Sequence, residues 1–99
     1  MYCSFQEIRE AARGVSNARV AVPMGHDVSS VEALIRASEE GLASSVIVGP
    51  KDGLKETMEL LGRSIPPNIE VIDVEDAEKA ALESASLVSS GEATILMKG

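Results

Sequence analysis

The side chains best suited to chemistry lie in four short polar segments, each of which follows an apolar run. They are residues 23–27, 49–53, 73–76 and 98–99. The first segment contains His26, the only histidine of the chain. An imidazole facing a crevice transfers protons near neutral pH. A solvated loop histidine beside Asp27 is the interpretation that the sequence favours.

Lys98 and Gly99 directly follow an apolar run at residues 94–97. A lysine ammonium there neutralises a phosphate or carboxylate, and glycine lets the backbone come close to a ligand. An ordinary lysine that protects the end of a strand fits the same residues equally well. Gly25 stands next to His26 in a similar arrangement, so the candidate binding residues are Gly25, His26, Lys98 and Gly99.

Several kinds of site are excluded or disfavoured. The chain contains neither G-x-x-x-x-G-K-[ST] nor G-x-G-x-x-G, which removes the common nucleotide-binding loops. One histidine and one cysteine, Cys3, provide neither a metal-ligand set nor a catalytic triad, so we predict no metal. Cys3 has no cationic neighbour in sequence and is predicted to be inert. The carboxylates of residues 73–76 are predicted to cap a helix.

These segments connect helices and strands that alternate along the chain. Short apolar runs rich in β-branched residues predict strands at 19–23, 45–49, 69–74 and 94–97. Capping signals predict four helix starts, at Ser4 with Glu7, Ser29 with Glu32, Asp52, and Asp76. Residues 50–53 are predicted to form a turn before the third helix. The alternation predicts a three-layer α/β/α fold with a parallel sheet of about four strands.

The amino-acid composition limits the classes of molecule that the chain can bind. Sixteen acidic and nine basic side chains give a net charge of −7, which disfavours nucleic acid and anionic membranes. No apolar run is long enough to span a bilayer, and a single cysteine fits the reducing cytoplasm. Ninety-nine residues without an internal break form a single α/β unit. The last strand ends two residues before the terminus, so we expect the chain to be part of a longer protein.

The chain resembles the phosphate acetyl/butyryltransferase family, with the stronger likeness to its phosphate butyryltransferase branch. The resemblance runs from Arg19 onward, and its most specific pieces are Leu-Met-Lys-Gly at 96–99 and Val-Ile-Val-Gly at 46–49. Further matching pieces are 19–22, 26–27, 31–33, 40–43, 70–73 and 87–91. It departs at 23–25, where Pro-Met-Gly stands in place of small residues such as alanine.

The resemblance implies an isocitrate/isopropylmalate dehydrogenase-like fold and a chain that is the N-terminal part of the first of two domains. It implies transfer of a short acyl group, such as butyryl or acetyl, between coenzyme A and phosphate. Coenzyme A is then a substrate, with no metal or bound cofactor, and the enzyme a homo-oligomer. Lys98 and Gly99 match the family's strand-end motif at the cleft, and His26 matches a variable turn. The resemblance assigns no catalytic residue here, so we expect the chain alone to be inactive.

A different class of function remains open, namely a small non-catalytic α/β module that binds a partner or a metabolite. A freestanding module has to cover its own last strand, whereas an enzyme fragment leaves residues 94–97 open to fraying or self-association. Hydrogen exchange and size-exclusion chromatography on the isolated chain distinguish the two.

Overall fold

The computed structural model of the chain describes residues 4–97. Four helices and four strands alternate along these residues. In chain order they are α1 (Phe5–Ala12), β1 (Arg19–Pro23), α2 (Val28–Glu39), β2 (Ser44–Gly49), α3 (Lys51–Leu61), β3 (Ile69–Asp73), α4 (Ala77–Ser89) and β4 (Ile95–Leu96). The predicted α/β class and the predicted order of elements are confirmed.

Two helices begin where their capping residues predict. Ser4 accepts a hydrogen bond from the Glu7 backbone N–H, and the Glu7 carboxylate accepts one from the Ser4 N–H, which completes the predicted capping box. Asp76 caps α4 by accepting from the Lys79 N–H at 3.1 Å. Both caps satisfy backbone donors that the first helical turn leaves without a partner.

The predicted starts of α2 and α3 are wrong. Asp27 caps α2, because its Oδ2 accepts from the Ser30 N–H at 3.0 Å, and so the helix begins before Ser29. Pro50 occupies the N-cap position of α3 and offers no side-chain cap, so the predicted turn at 50–53 is largely the first turn of this helix. Asp52 lies inside that turn and caps nothing.

The four strands form one parallel sheet in the order β3-β2-β1-β4. The register pairs Ala21 of β1 with Val46 of β2 on one side and with Leu96 of β4 on the other. The chain therefore proceeds outward through β1, β2 and β3 and then returns to the opposite side of β1. This reversal places the topological switch point between β1 and β4, and strand order was not predicted from the sequence.

Helices cover both faces of the sheet, which confirms the three predicted layers. On the first face α1, α2 and α3 pack over one set of strand side chains, including Val20, Val22 and Ile47. On the second face α4 packs over the alternate set, which includes Ala21, Val46 and Val48. Because neighbouring strand residues point to opposite faces, β1 and β2 are apolar on both sides, as the continuous run at 46–48 predicted.

The last strand is shorter than the predicted 94–97, and one of its side chains is exposed. It consists of Ile95 and Leu96 at the sheet edge, and the Met97 N–H extends the pairing by donating to the Ala21 carbonyl at 3.0 Å. Ile95 packs against the first face, whereas Leu96 is 49% exposed on the second. The edge next to the switch point is thus only partly covered within residues 4–97.

Candidate functional site

The carboxyl ends of β1, β2 and β3 meet at one edge of the sheet, as expected for parallel strands. The Met24 N–H donates to the Val48 carbonyl at 2.8 Å, and the Val74 N–H donates to the Gly49 carbonyl at 2.9 Å. These bonds continue the pairing beyond the strands and tie three of the four polar segments together. Residues 23–27, 49–53 and 73–76 therefore lie at the same edge of the sheet.

The β1–α2 loop has an unusual backbone at its start. Met24 has a φ of 55°, in the left-handed region that residues with a side chain rarely adopt. Gly25 is buried, and a Cβ at this position would overlap the Val22 Cγ1 atom. Glycine is therefore needed at residue 25 for close packing against β1, which gives it a structural role in addition to the predicted binding role.

The His26 ring lies between the end of β2 and the first turn of α3. A Cβ added to Gly53 would stand 2.9 Å from the ring Cδ2 atom, and a Cβ added to Gly49 would stand 3.5 Å from Nδ1. From α3, the Thr57 hydroxyl donates to the His26 carbonyl at 2.6 Å and lies 3.2 Å from the Gly53 carbonyl. We call Gly49, Gly53 and Thr57 the His26 seat.

The seat encloses one side of the imidazole. The Nδ1 atom of His26 is buried and has no hydrogen-bond partner, while the residue as a whole is only partly buried. His26 is thus a loop residue, as predicted, but its ring is only partly solvated, because Nδ1 is buried. A Cβ added to Gly53 would also stand 3.5 Å from Nε2, so this nitrogen borders the first turn of α3.

Two of the carboxylates at this edge serve the backbone. Asp76 caps α4, and Asp73 Oδ1 accepts from the Lys51 N–H at 3.0 Å, at the start of α3. The prediction that the carboxylates of residues 73–76 act as helix caps is confirmed for Asp76, whereas Asp73 serves the neighbouring helix. Lys51 and Asp52 are exposed beside the seat.

Two of the four candidate residues are described by the structure and two are not. Gly25 and His26 are adjacent in the β1–α2 loop, at the carboxyl edge of the sheet. Lys98 and Gly99 lie outside the described residues, as does Cys3. Their predicted positions remain predictions.

Sequence reasoning missed the residues that hold His26. Thr57 lies inside α3, and nothing in its local sequence indicates a contact with a loop 31 positions earlier. Gly53 carried a signal, because a glycine in the first turn of a helix lowers helix propensity and calls for a packing reason. That packing reason is the His26 ring, which lies where a Cβ of residue 53 would come too close.

A surface cavity of about 800 Å³ lies elsewhere on the described part of the chain. It is a broad groove along α2 that includes Phe5 and Leu61. Arg36 stacks on the Phe5 ring at 3.8 Å and pairs with Glu40, so this cation is already engaged. The groove is separate from the edge that carries His26, and volume alone does not make it the functional site.

Within residues 4–97, no three histidine, cysteine, aspartate or glutamate side chains gather closely enough to hold a metal ion. Along the same stretch, no helix is long and apolar enough to cross a membrane.

The chain is similar in sequence to named enzymes over almost its whole length. No protein-family model matches the chain. It is 34% identical over 96 residues to a phosphate butyryltransferase of Clostridium beijerinckii, covering 97% of this chain and 32% of that protein. A phosphate butyryltransferase of Clostridium acetobutylicum is 31% identical over 99 residues, covering all of this chain and 33% of that protein.

A third relative is named for the transfer of acetyl rather than butyryl groups. A phosphate acetyltransferase of Deinococcus radiodurans is 32% identical over 69 residues, covering 70% of this chain and 10% of that protein. The chain spans about a third of the length of the two butyryltransferases that it matches. The resemblance inferred from the sequence is confirmed, and the chain is a homologue of the phosphate acetyl/butyryltransferases.

Proposed function

We propose that the chain forms part of a phosphate acyltransferase that moves a short acyl group between coenzyme A and inorganic phosphate. The observation that carries this proposal is the match of nearly the whole chain, at 31% and 34% identity, to two phosphate butyryltransferases. Butyryl and acetyl are the acyl groups that the relatives' names support. In this proposal the chain is the N-terminal part of the first of two domains.

The chemistry of this reaction sets what the site has to supply. A phosphate oxygen attacks the thioester carbonyl, the oxygen of that carbonyl gains negative charge, and the coenzyme A thiolate leaves. Catalysis of such a step rests on positioning the phosphate and on hydrogen-bond donors aimed at the developing oxyanion. Neither requirement needs a metal or a tightly bound cofactor, and coenzyme A takes part as a substrate.

The residues of this chain fit the binding part of that chemistry. Gly25 lets the β1–α2 loop pack closely against β1. We propose that His26, next to it, presents a ring nitrogen to the substrate at the carboxyl edge. Lys98 and Gly99 are proposed to border the same cleft after β4. The resemblance assigns no catalytic residue to this chain, and the net charge of −7 disfavours binding the phosphates of coenzyme A by this chain alone.

The experiment begins with the coding sequence beyond Gly99. We expect it to continue into the remaining part of the enzyme, and we expect the complete polypeptide to release coenzyme A from butyryl-coenzyme A only when phosphate is present. Thiol release is followed with a colorimetric reagent. The 99-residue chain alone is expected to show no release. A complete polypeptide that is folded but inactive with every short acyl chain would refute the proposal.

The cellular setting and the assembly belong to the same proposal. The single cysteine supports a reducing cytoplasm, and the resemblance supports a homo-oligomer that acts on acyl-coenzyme A and phosphate. Sedimentation of the complete polypeptide measures the oligomeric state, and a strictly monomeric active enzyme would contradict that part.

A further inference from the structure

The His26 seat constrains the hydrogen-bonding chemistry of the ring. A neutral imidazole carries one N–H donor and one bare acceptor nitrogen. Nδ1 is enclosed without a partner, so a proton placed there would be a buried donor with no acceptor. In the Nε2–H tautomer the enclosed nitrogen carries no proton, so no N–H donor is left unpaired there. The ring is therefore expected to carry its proton on Nε2, with the bare Nδ1 facing Gly49.

Thr57 keeps the ring in this position. Its hydroxyl donates to the backbone carbonyl of His26 at 2.6 Å, and its side chain is only 7% exposed. The bond joins α3 to the β1–α2 loop at His26 itself. Gly53, one helical turn earlier, leaves the space that the ring occupies.

We propose that Thr57 is a positioning residue that holds His26 in its Nε2–H form, with Nε2 as a hydrogen-bond donor to a phosphoryl or carbonyl oxygen of the substrate. The substrate in this inference rests on the proposed function. The orientation of the ring rests on the contacts within α3 and the loop. A donor of this kind stabilises an oxygen on which charge develops during the reaction.

The orientation is tested by NMR on the ¹⁵N- and ¹³C-labelled 99-residue chain, where the single histidine gives one set of ring signals. Wild type is expected to show the ¹⁵N shifts of the Nε2–H form and a nuclear Overhauser effect between His26 Hδ2 and the Gly53 Hα protons. Thr57→Val removes the donor at nearly constant shape and is expected to weaken that effect at least about two-fold. Thr57→Ser keeps the hydroxyl and is expected to restore it.

Two NMR results would overturn the inference. One is a wild-type ring protonated mainly on Nδ1, and the other is a ring contact unchanged by Thr57→Val. Should Thr57→Val unfold the chain, Gly53→Ala displaces the ring from the side of α3 and is expected to alter the same contact. An unaltered ring contact in folded Gly53→Ala would overturn the inference as well.

The role toward substrate is tested in the complete polypeptide. His26→Ala is expected to lower kcat/KM for acyl transfer about 10-fold or more, because one donor to the reacting groups is lost. His26→Gln keeps an N–H donor and is expected to recover part of that loss. Thr57→Val is expected to show a smaller decrease, which Thr57→Ser rescues.

The outcomes separate the two proposals. If His26→Ala leaves the turnover of the complete polypeptide at the wild-type value, this inference is overturned and the proposed acyltransferase function is not affected. Absence of turnover in the folded wild type would refute the acyltransferase, and with it the substrate that this inference names, whatever the NMR orientation.

Discussion

Gly53→Ala tests whether the His26 ring occupies the space that glycine leaves. In a helix, alanine is more favourable than glycine by about 1 kcal/mol in the interior and by less in the first turn. The added Cβ would stand 2.9 Å from the ring Cδ2 atom, well inside normal contact. Overpacking of this kind costs about 1–3 kcal/mol. Since the gain in helix propensity in the first turn is about 0.5 kcal/mol, the substitution is expected to lower the free energy of unfolding by about 0.5–2.5 kcal/mol.

The same substitution in a His26→Ala background has the opposite expected sign. With the ring removed, only the propensity gain remains, so Gly53→Ala is expected to raise the free energy of unfolding by about 0.5 kcal/mol. The coupling between the two positions is then about 1–3 kcal/mol, by the difference of the two expected effects. Urea denaturation of the four proteins, followed by circular dichroism, measures it.

Gly49→Ala provides the matched control for this cycle. A Cβ on Gly49 would lie 3.5 Å from His26 Nδ1 and 3.4 Å from the Met24 Cα atom, which are ordinary contacts. Its coupling with His26→Ala is expected to stay below about 0.5 kcal/mol. A Gly53→Ala effect of the same sign and size in both backgrounds would show that the ring does not fill this space, and the seat would be refuted.

Three further predictions concern the caps, the core and the surface. Asp27→Ala is expected to lower the free energy of unfolding by about 1 kcal/mol because it removes the α2 cap, while Ser29→Ala changes it by less than about 0.5 kcal/mol; urea titrations of both decide whether the cap is placed correctly. Leu34→Ala leaves a cavity at a fully buried position and is expected to cost about 2–5 kcal/mol, whereas Leu60→Ala, at a position 79% exposed, is expected to be nearly neutral in the same titration. Glu70→Gln breaks its ion pair with Arg19, in which the glutamate is 60% exposed, and is expected to cost less than about 1 kcal/mol at low salt and still less at high salt; a larger, salt-independent loss would contradict this.

Element types could be predicted from the sequence because each has a strong local signal. The run at 46–48 is apolar on both faces of its strand, and the reciprocal hydrogen bonds of Ser4 and Glu7 need only three residues of separation. The start of α2 was mistaken because Ser29 also has the spacing of a capping box. Asp27 caps the helix instead, since its carboxylate reaches the Ser30 N–H.

Strand order and the surroundings of His26 depend on contacts between distant parts of the chain. The sequence predicts parallel strands but does not say that the chain returns to pair β4 with β1. The bond from Thr57 to His26 likewise exists only after α3 has packed beside the β1–α2 loop. Periodicity and capping describe single elements and carry no information on such pairings.

The most direct measurement of the proposed activity uses a chimera. This chain replaces the segment of the Clostridium beijerinckii phosphate butyryltransferase with which it aligns, about a third of that protein. Phosphate-dependent release of coenzyme A from butyryl-coenzyme A is then measured on a chimera that elutes and melts as a folded protein. We predict turnover that depends on phosphate and falls about 10-fold or more with His26→Ala. A folded chimera with no phosphate-dependent release would contradict it.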